Sequence, residues 1–287
     1  MTSPVLVVLA AGQGRRFGGL KQLAPVGPHG EAVMDYSIHD ALGIGFERLV
    51  LVVRPDIEPA VRAHLDAVWG RPSPVAYATQ EVDLGRGEAP GTAPAVLCAR
   101  ALVGESPFAV INADDLYGPD PVRLLAGHLG AGGDVHAVVG FALSHTVWPE
   151  SGLVSRALCE RRHDGTLAGL VEATISVGSG DAEFAATPIA GGAKRGVSGD
   201  QLVSMNAWGF RPSFWPLLER GVHAGGAAEV LLPEVVAGLV PTIAVDVLAT
   251  GARCLSVTWA SDVVALRREV RALIDAGAYP CRLGIGA

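Results

Sequence analysis

The sequence predicts an α/β fold whose central sheet is mostly parallel. The run Val5–Leu9 is continuously apolar and β-branched, which is typical of a strand buried on both faces. Similar runs alternate with helical patterns through the first half of the chain, and this alternation favours a parallel sheet with right-handed crossovers. The composition, with 49% apolar and 18% charged residues, is that of a globular protein.

The first half of the chain supplies the alternating elements of this Rossmann-like sheet. The predicted strands are Val5–Leu9, Leu49–Val53, Val75–Thr79 and Phe108–Ile111. The predicted helices are Met34–Ile44, Pro59–Trp69, Ala93–Leu102 and a segment from Pro119 to about Leu129. Pro119 suits the first turn of its helix because a residue at that position needs no backbone N–H donor.

The second half of the chain changes character and predicts a hairpin-bearing insertion that covers a pocket. Its predicted strands are Val135–Leu143, Gly152–Cys159, Leu167–Ile175 and Leu202–Phe210, with a turn signal at Asp164-Gly165. The segment Ser176–Asp200 is rich in Gly, Ala and Ser and predicts a long surface loop. Helices are predicted at Pro212–Arg220, Ala227–Leu239 and Asp262–Ala276.

The pattern contains no internal repeat and no linker, so one domain is predicted over residues 1–287. Its alternating part spans about 1–130, its hairpin-bearing part about 131–260, and its closing helix about 261–287.

The net charge and the cysteine positions indicate which kinds of ligand and which cellular compartment to expect. The net charge of −7 argues against nucleic acid as the main partner, because proteins that bind the phosphate backbone are usually basic. The four cysteines lie far apart and outside any CxxC pair, which indicates reduced thiols rather than a zinc site. The apolar run Val5–Ala11 is too short for a membrane span. We therefore expect a cytoplasmic protein that binds no membrane; the oligomeric state stays open, and a homo-oligomer is compatible with the sequence.

The loop after the first strand predicts binding of a highly charged anion. Its sequence is Leu9-Ala10-Ala11-Gly12-Gln13-Gly14-Arg15-Arg16-Phe17-Gly18-Gly19-Leu20-Lys21-Gln22. Small residues let the backbone approach a ligand closely, while Arg16 and Lys21 add positive charge suited to a triphosphate. The spacing is GxGxxxG rather than the dinucleotide GxGxxG, and no Walker A lysine follows. A dinucleotide site and a purely structural loop remain alternatives.

Lys21 is also unusual because the chain contains only two lysines among 22 basic residues, the other being Lys194. A compact ammonium reaches a single crowded oxygen in a way that a guanidinium does not. Retention of lysine at these two positions therefore indicates either a specific contact or chance.

The loop resembles the LAAGxGxRxGxxKQ motif of the sugar-1-phosphate nucleotidyltransferases, including Pro25-Val26 beyond it. The resemblance implies the fold of that family, which is similar to the GT-A glycosyltransferase fold. It implies that the loop backbone holds the NTP base and phosphates, and that Arg16 contacts the leaving pyrophosphate. Lys21 would touch the phosphates at the reaction centre. The nucleotide-binding loop residues so assigned are Leu9, Ala10, Ala11, Gly12, Gln13 and Gly14.

Two further segments resemble the base-recognition elements of the family. Gln80 follows the third predicted strand, and Gly91-Thr92 opens the next helix. A glutamine amide offers both a donor and an acceptor to a base edge, and a glycine lets the base approach the backbone. The resemblance therefore assigns Gln80, Gly91 and Thr92 to nucleotide binding, although a glutamine in a loop is often simply solvated.

The acidic pair after the fourth strand predicts a magnesium site. Asn112-Ala113-Asp114-Asp115 resembles the metal-binding motif of the family, whose first Asp is the ligand, which assigns Asp114. Mg²⁺ commonly takes one or two protein carboxylates, with phosphates and water completing its shell. Asp115 would then lie behind the ligand or cap a helix. Val257 stands where the family has a second Asp, so either Asp114, phosphates and water hold the metal without another carboxylate, or Asp262 is the second ligand. Asp262 is also explained as the start of the closing helix.

The acceptor elements resemble those of the family only in part. Gly152 matches a glycine whose backbone lies along the sugar, and Glu172 matches the glutamate that binds sugar hydroxyls. The lysine that should follow is Ala173, so Lys194 is a candidate for the missing charge. Asn206 is expected in the same pocket. These departures leave a modified sugar or a cyclitol phosphate as alternatives for the acceptor.

The sequence thus predicts a Mg²⁺-dependent transfer of a nucleoside monophosphate from an NTP to a sugar-1-phosphate or sugar-like phosphate. The products would be an NDP-sugar and pyrophosphate. Three alternatives remain open: an NAD(P)-dependent oxidoreductase, a GT-A glycosyltransferase, which usually carries a DxD motif, and a non-catalytic nucleotide-binding homologue. The sequence does not specify the base.

Overall fold

A computed structural model of the chain describes residues 3–12, 14, 17–81, 91–147, 152–177, 183–225 and 229–284. The strands of this part are β1 (Val5–Leu9), β2 (Arg48–Val53), β3 (Val75–Thr79), β4 (Phe108–Asn112), β5 (Asp115–Leu116), β6 (His136–Ala142), β7 (Val154–Arg161), β8 (Leu167–Val177), β9 (Phe184–Pro188), β10 (Arg195–Val197), β11 (Leu202–Phe210), β12 (Val245–Thr250) and β13 (Leu255–Ser256).

The helices follow the same chain order. They are α1 (Val33–Ile44), α2 (Glu58–Trp69), α3 (Thr92–Cys98), α4 (Arg100–Val103), α5 (Pro119–Gly130), α6 (Trp215–Ala224), α7 (Leu232–Leu239) and α8 (Asp262–Asp275). Short 3-10 turns occupy Lys21–Leu23, Leu143–His145 and Pro212–Phe214. None of the helices in the described ranges is both long and apolar enough to cross a lipid bilayer.

The sheet combines a parallel half with an antiparallel half. Strands β3, β2, β1 and β4 lie side by side in parallel, with β1 between β2 and β4. Beyond β4 the order continues through β11, β7, β8, β9 and β10, and these neighbours pair antiparallel. The predicted α/β fold is confirmed, and β6 and β12 add a further parallel pair beside β11.

The sheet opens in the middle of β11. Val203 and Ser204 pair with β7, whereas Trp208–Phe210 pair with β4, and β6 runs along the other side of both stretches. Between them Asn206 adopts a φ of 57°, in the left-handed region that non-glycine residues seldom occupy. This irregularity separates β7 from β4 and leaves a gap at the edge where β4 ends.

Packing on both faces of the sheet forms the core. One face is covered by α1, α2 and α5, with buried residues that include Leu6, Val8, Met34, Ile38 and Leu125. The other face is covered by α3, α6 and α7, with buried residues that include Val7, Val96, Trp208, Leu218 and Leu232. Removal of these side chains from water is the main force that holds the layers together.

The closing helix α8 packs against the N-terminal half of the chain rather than standing apart. Val263, Leu266 and Val270 of α8 share a buried cluster with Val33 of α1 and Val257. The C-terminal end of the fold is therefore anchored close to the segment that follows β4.

Several sequence predictions beyond β3 were wrong in detail. The segment Ser176–Asp200 was expected to be a loop, but its described part contains β9 and β10, which extend the sheet beyond β8. Small residues there conceal strands because an edge strand needs little side-chain packing. The predicted helix Ala93–Leu102 is divided into α3 and α4. The helix expected over Ala227–Leu239 begins only at Leu232.

A buried carboxyl group of α1 should make the stability of the fold depend on pH. Asp40 is 6% exposed and accepts a hydrogen bond from the Tyr279 hydroxyl at 2.7 Å. Burial raises the pKa of Asp40 to about 7, against the smaller opposing effects of Tyr279 and Arg123. The folded state therefore keeps a proton that the unfolded state releases, and stability falls as pH rises from about 4 to about 7.

We expect Asp40→Asn to remove this decline, since an amide does not ionise and its oxygen still accepts from Tyr279. Relative to the wild type, the variant should gain on the order of 3 kcal/mol of unfolding free energy between acidic and mildly alkaline pH. Urea unfolding at about pH 4.5 and pH 8 measures the difference. Asp275→Asn, at a side chain 60% exposed, is the control. Parallel pH profiles for wild type and Asp40→Asn would contradict the expectation.

Candidate active site

The predicted nucleotide-binding segments converge at one edge of the sheet. The loop after β1, Arg54 after β2, Gln80 after β3 and Asp114 after β4 all follow the carboxyl ends of parallel neighbours. Ligands of open α/β sheets bind outside these carboxyl ends, where the loops diverge. The topology therefore brings together residues that lie more than a hundred positions apart in the chain.

Two buried side chains hold the loop after β1 in place. Gln22 donates from Nε2 to the Ala10 carbonyl at 2.9 Å and to the Gly12 carbonyl at 2.6 Å. Arg54 donates from Nη1 to the carbonyls of Ala11 at 2.9 Å and Gly12 at 2.8 Å. These contacts fix the path of the loop backbone before any ligand arrives.

Neither supporting role was assigned from the sequence. Gln22 belongs to the motif but carried no function, and Arg54 was not singled out. For Arg54 a usable signal exists, because it comes directly after a strand that neighbours β1. Its Nε and Nη2 also hold the Asp56 carboxylate, each at 2.9 Å, which keeps the guanidinium in position.

The end of the loop requires glycine at position 14. Gly14 has a φ of +61°, and a Cβ there would lie 2.7 Å from the Gly19 carbonyl oxygen. The Gly14 carbonyl accepts from the N–H groups of Phe17 at 2.9 Å and Gly18 at 3.2 Å, which turns the chain towards Lys21. Gln13 and Arg16 lie outside the described residues, so their assignments stay predictions.

Lys21 and Asp114 form an ion pair at the floor of the cleft. The Lys21 ammonium donates to Oδ2 of Asp114, and the two side chains remain 21% and 18% exposed, so both groups can be reached from solvent. Burial raises the pKa of the Asp114 carboxyl, and the adjacent Lys21 charge counteracts this shift. The structure thus joins two of the three predicted catalytic residues in one contact.

The Asp115 carboxylate is hydrogen-bonded to neighbouring side chains of the same site. Its carboxylate accepts from Asn112 Nδ2 at 2.8 Å, from the Tyr117 hydroxyl at 3.2 Å and from the Ser256 hydroxyl. Both residues line the same cavity, but Asp115 is only 4% exposed and its carboxylate already accepts from three protein donors. Of the acidic pair, Asp114 is therefore the residue whose carboxylate is better placed to take an external ligand.

The position expected to carry a second metal ligand lies beside Asp114 but is apolar. The Val257 N–H donates to the Asp114 carbonyl at 2.9 Å, and the Val257 side chain is fully buried in the cluster around α8. Asp262 lines the adjoining cavity, where its Oδ2 accepts the N–H groups of Thr258 at 2.8 Å and Trp259 at 2.7 Å. Among the described ranges, no group of three or more His, Cys, Asp or Glu residues forms a metal-binding cluster.

The two predicted base-recognition elements meet. Gln80 is buried and donates from Nε2 to the Gly91 carbonyl at 3.2 Å. Gly91 has a φ of +98°, and a Cβ there would lie 2.3 Å from the Val230 carbonyl oxygen. The Thr92 hydroxyl accepts the N–H of Leu232 at 2.8 Å. The backbone of Val230 therefore explains why position 91 needs glycine. Contact of Gln80, Gly91 and Thr92 with a nucleotide base stays a prediction.

The predicted acceptor residues are divided between two adjoining cavities. Glu172 and Asn206 line a cavity of about 250 Å³ that also contains Asp114. Gly152 lines a larger cavity of about 640 Å³ together with Trp259 and other residues of the segment before α8. Lys194 is exposed beside β10 and lines neither cavity. Both cavities share the wall formed by Ser155, Arg156, Ser256 and Thr258.

Comparison with known proteins agrees with this geometry. A family model described as the MobA-like NTP transferase domain matches residues 6–165, which is more than half of the 287 residues. The chain belongs to the MobA-like NTP transferase family. Nucleotidyl transfer is therefore the general chemistry of this NTP transferase.

Among solved structures, the fold of this NTP transferase is similar to that of a UDP-glucose pyrophosphorylase complexed with UDP-glucose. The TM-score is 0.64 with 15% sequence identity, over 94% of this chain and 99% of the other. At this identity the similarity extends to the fold and not to the substrates. No curated protein matches the sequence significantly.

We expect Gly91→Ala to destabilise the NTP transferase by about 2–4 kcal/mol, because it adds both a left-handed backbone penalty and an overlap with the Val230 backbone. Gly104→Ala is the matched control, since Gly104 also has a positive φ but a Cβ there meets nothing within 4 Å. The control should lose only about 1–2 kcal/mol in urea unfolding. Equal losses in the two variants would show that crowding by Val230 contributes nothing.

Proposed function

We propose that this NTP transferase transfers a nucleoside monophosphate from an NTP to a sugar-1-phosphate or sugar-like phosphate. The products are an NDP-sugar and pyrophosphate. The observation that carries the proposal is the ion pair between Lys21, near the end of the loop that follows β1, and Asp114, which follows β4. A cation and an acidic metal ligand at the edge of a nucleotide-binding sheet suit the charge that develops during phosphoryl transfer.

The residues around Asp114 are compatible with a magnesium ion. Asp114 offers a carboxylate at the cavity, with the Asn112 side chain among the other lining groups. Mg²⁺ needs few protein ligands when phosphates and water complete its shell, so a lone protein carboxylate is sufficient. When bound, the ion supplies neutralisation of phosphate charge. Asp262 remains the second proposed ligand.

In the proposed reaction, a phosphate oxygen of the acceptor attacks the α-phosphorus of the NTP, and pyrophosphate leaves in line. The nucleophile is already ionised, so the residues of the chain contribute positioning and charge neutralisation rather than proton transfer. Lys21 would contact the phosphates at the reaction centre, and Arg16 the departing pyrophosphate. The loop Leu9–Gly14, together with Gln80 and Gly91-Thr92, would bind the nucleotide.

The acceptor would occupy the cavity lined by Glu172 and Asn206, with Gly152 in the adjoining space. Burial raises the pKa of Glu172, the charge of Glu234 adds to this shift, and Arg156 opposes it. A carboxyl group in such a position suits hydrogen bonding to sugar hydroxyls. Lys194 would approach the acceptor only from an exposed position beside β10.

Release of pyrophosphate should depend on Lys21 and Arg16. With Mg²⁺, the four common NTPs and a panel of sugar-1-phosphates, we expect Lys21→Ala and Arg16→Ala to lower kcat/KM by ~10² or more, as for loss of a preorganised charge. Lys21→Arg should not restore activity because a guanidinium is bulkier than an ammonium. Arg271→Ala, at an exposed pair on α8, is the control.

Losses below about threefold in both alanine variants would count against this mechanism. If the wild type releases no pyrophosphate with any combination of NTP and acceptor, the proposed reaction is wrong. NAD(P) binding without metal dependence would favour an oxidoreductase instead.

Metal binding by Asp114 can be followed without turnover. We expect Mn²⁺, used as a paramagnetic substitute for Mg²⁺, to bind the wild type in the presence of an NTP and to bind Asp114→Asn at least about tenfold more weakly, because an amide lacks the carboxylate charge. Electron paramagnetic resonance of free Mn²⁺ measures the affinity. Asp275→Asn provides a control, and unchanged affinity in Asp114→Asn would exclude Asp114 as the ligand.

A further inference from the structure

Position 173, where the family resemblance implies a lysine at the acceptor site, is an alanine. Glu172 is followed by Ala173, whose side chain is fully buried in the core and supplies no charge. The surrounding cavity also contains Asp114 and Asp115. A phosphate entering this acidic space needs a fixed positive group, because an unpaired anion is repelled by nearby carboxylates.

The pairing of β7 with β8 puts an arginine directly opposite this position. Arg156 of β7 is the register partner of Ala173 of β8 in an antiparallel ladder. Residues directly opposite each other in such a ladder point to the same face, with Cβ atoms about 5 Å apart. Arg156 and Ala173 therefore share one face of the β7–β8 ladder, where the small Ala173 side chain is packed into the core and supplies no polar group.

Contacts with Thr146 and Ser155 hold the Arg156 guanidinium in a defined position. Nε donates to the Thr146 hydroxyl at 3.1 Å, Nη1 to the Ser155 carbonyl at 2.8 Å, and Nη2 to the Thr146 carbonyl. A guanidinium carries five N–H donors, so these three contacts leave two further donors for a ligand. Within the described ranges, Arg156 forms no direct salt bridge with a carboxylate of the site.

Arg156 lies where its side chain can contact a phosphate bound in the proposed acceptor cavity. Arg156 lies on the wall common to the two cavities, one of which contains Asp114 and Glu172. Burial lowers the pKa of Arg156, while the charges of Asp115, Cys254 and Glu172 raise it. An arginine nevertheless stays protonated in proteins, and its planar fork fits two phosphate oxygens at once.

We propose that Arg156 binds the phosphate group of the acceptor, supplying from β7 the charge that position 173 of β8 lacks. This inference rests on the proposed function, because it assigns a residue to the phosphate that attacks the NTP. It also gives the acceptor site a fixed cation that does not depend on Lys194. The site would thus keep its charge balance although the cation sits on a different strand.

Steady-state kinetics with the most active acceptor of the sugar-1-phosphate panel test the proposal. Arg156→Met should raise the KM of the acceptor at least about tenfold, as expected for loss of a charge-assisted contact, and should leave the KM of the NTP within about twofold. Arg156→Lys should give an intermediate value, since it keeps the charge but loses the fork.

Relocating the charge separates phosphate binding from a structural role. Arg156→Met combined with Ser155→Lys places an ammonium on an exposed residue of the wall common to the two cavities, and should recover part of the acceptor affinity. A purely structural role of Arg156 would not respond to this second substitution. Thermal unfolding of each variant verifies that it is folded.

An acceptor KM within about twofold of wild type in Arg156→Met overturns the proposal, as does an equal rise in the KM of acceptor and NTP. If Arg156→Met fails to fold, a crystal structure of the wild type with the acceptor decides. A phosphate hydrogen-bonded to the guanidinium supports the proposal, and a phosphate bound elsewhere overturns it.

An error in the proposed function can be distinguished from an error in the role of Arg156. If the proposed function is wrong, the wild type releases no pyrophosphate with any pair of substrates. Calorimetric binding of glucose 1-phosphate to wild type and Arg156→Met, without NTP, then still reports on Arg156. Binding to the wild type that weakens at least about tenfold in the variant supports a phosphate site at Arg156, whereas equal binding or none overturns it.

Discussion

The parallel pairing of β1 with both β2 and β4 is the constraint on which the site depends. It places the loop after β1 between Arg54 and Asp114, because all three segments leave the sheet at the same edge. The apolar side chains of these strands are buried, so the pairing is fixed by the core rather than by the ligand groups. A shift of register would move the loop away from Asp114 and would also expose core residues to solvent.

Charge balance is the second organising feature. The cavity beyond β4 gathers Asp114, Asp115 and Glu172, and each carboxylate is compensated differently. Asp114 pairs with Lys21, Asp115 is held by neutral donors, and the charge of Arg156 lowers the pKa of Glu172 against the larger effect of burial. Cations that are already held in place cost little reorganisation when phosphates bind, which is the condition for electrostatic catalysis.

Local sequence patterns predicted much of the parallel half and less of the rest. Strands β1, β3 and β11 have the predicted bounds, and β2 and β4 agree with the prediction within one residue. Their apolar runs are long enough for periodicity to be informative. Strands β9, β10, β12 and the pair β5–β13 were not predicted, because short or edge strands obtain their stability from a neighbour rather than from their own composition.

By itself, the sequence determined the α/β class, the loop after the first strand, and the candidate residues at strand ends, since these follow from local hydrophobic patterns and from turn chemistry. The tertiary structure alone decided that Gln22 and Arg54 support the loop, that β11 opens at Asn206, and that Arg156 lies opposite Ala173. Those features arise from register between segments distant in the chain. Register is set by the packing of the whole sheet, and no local window of sequence encodes it.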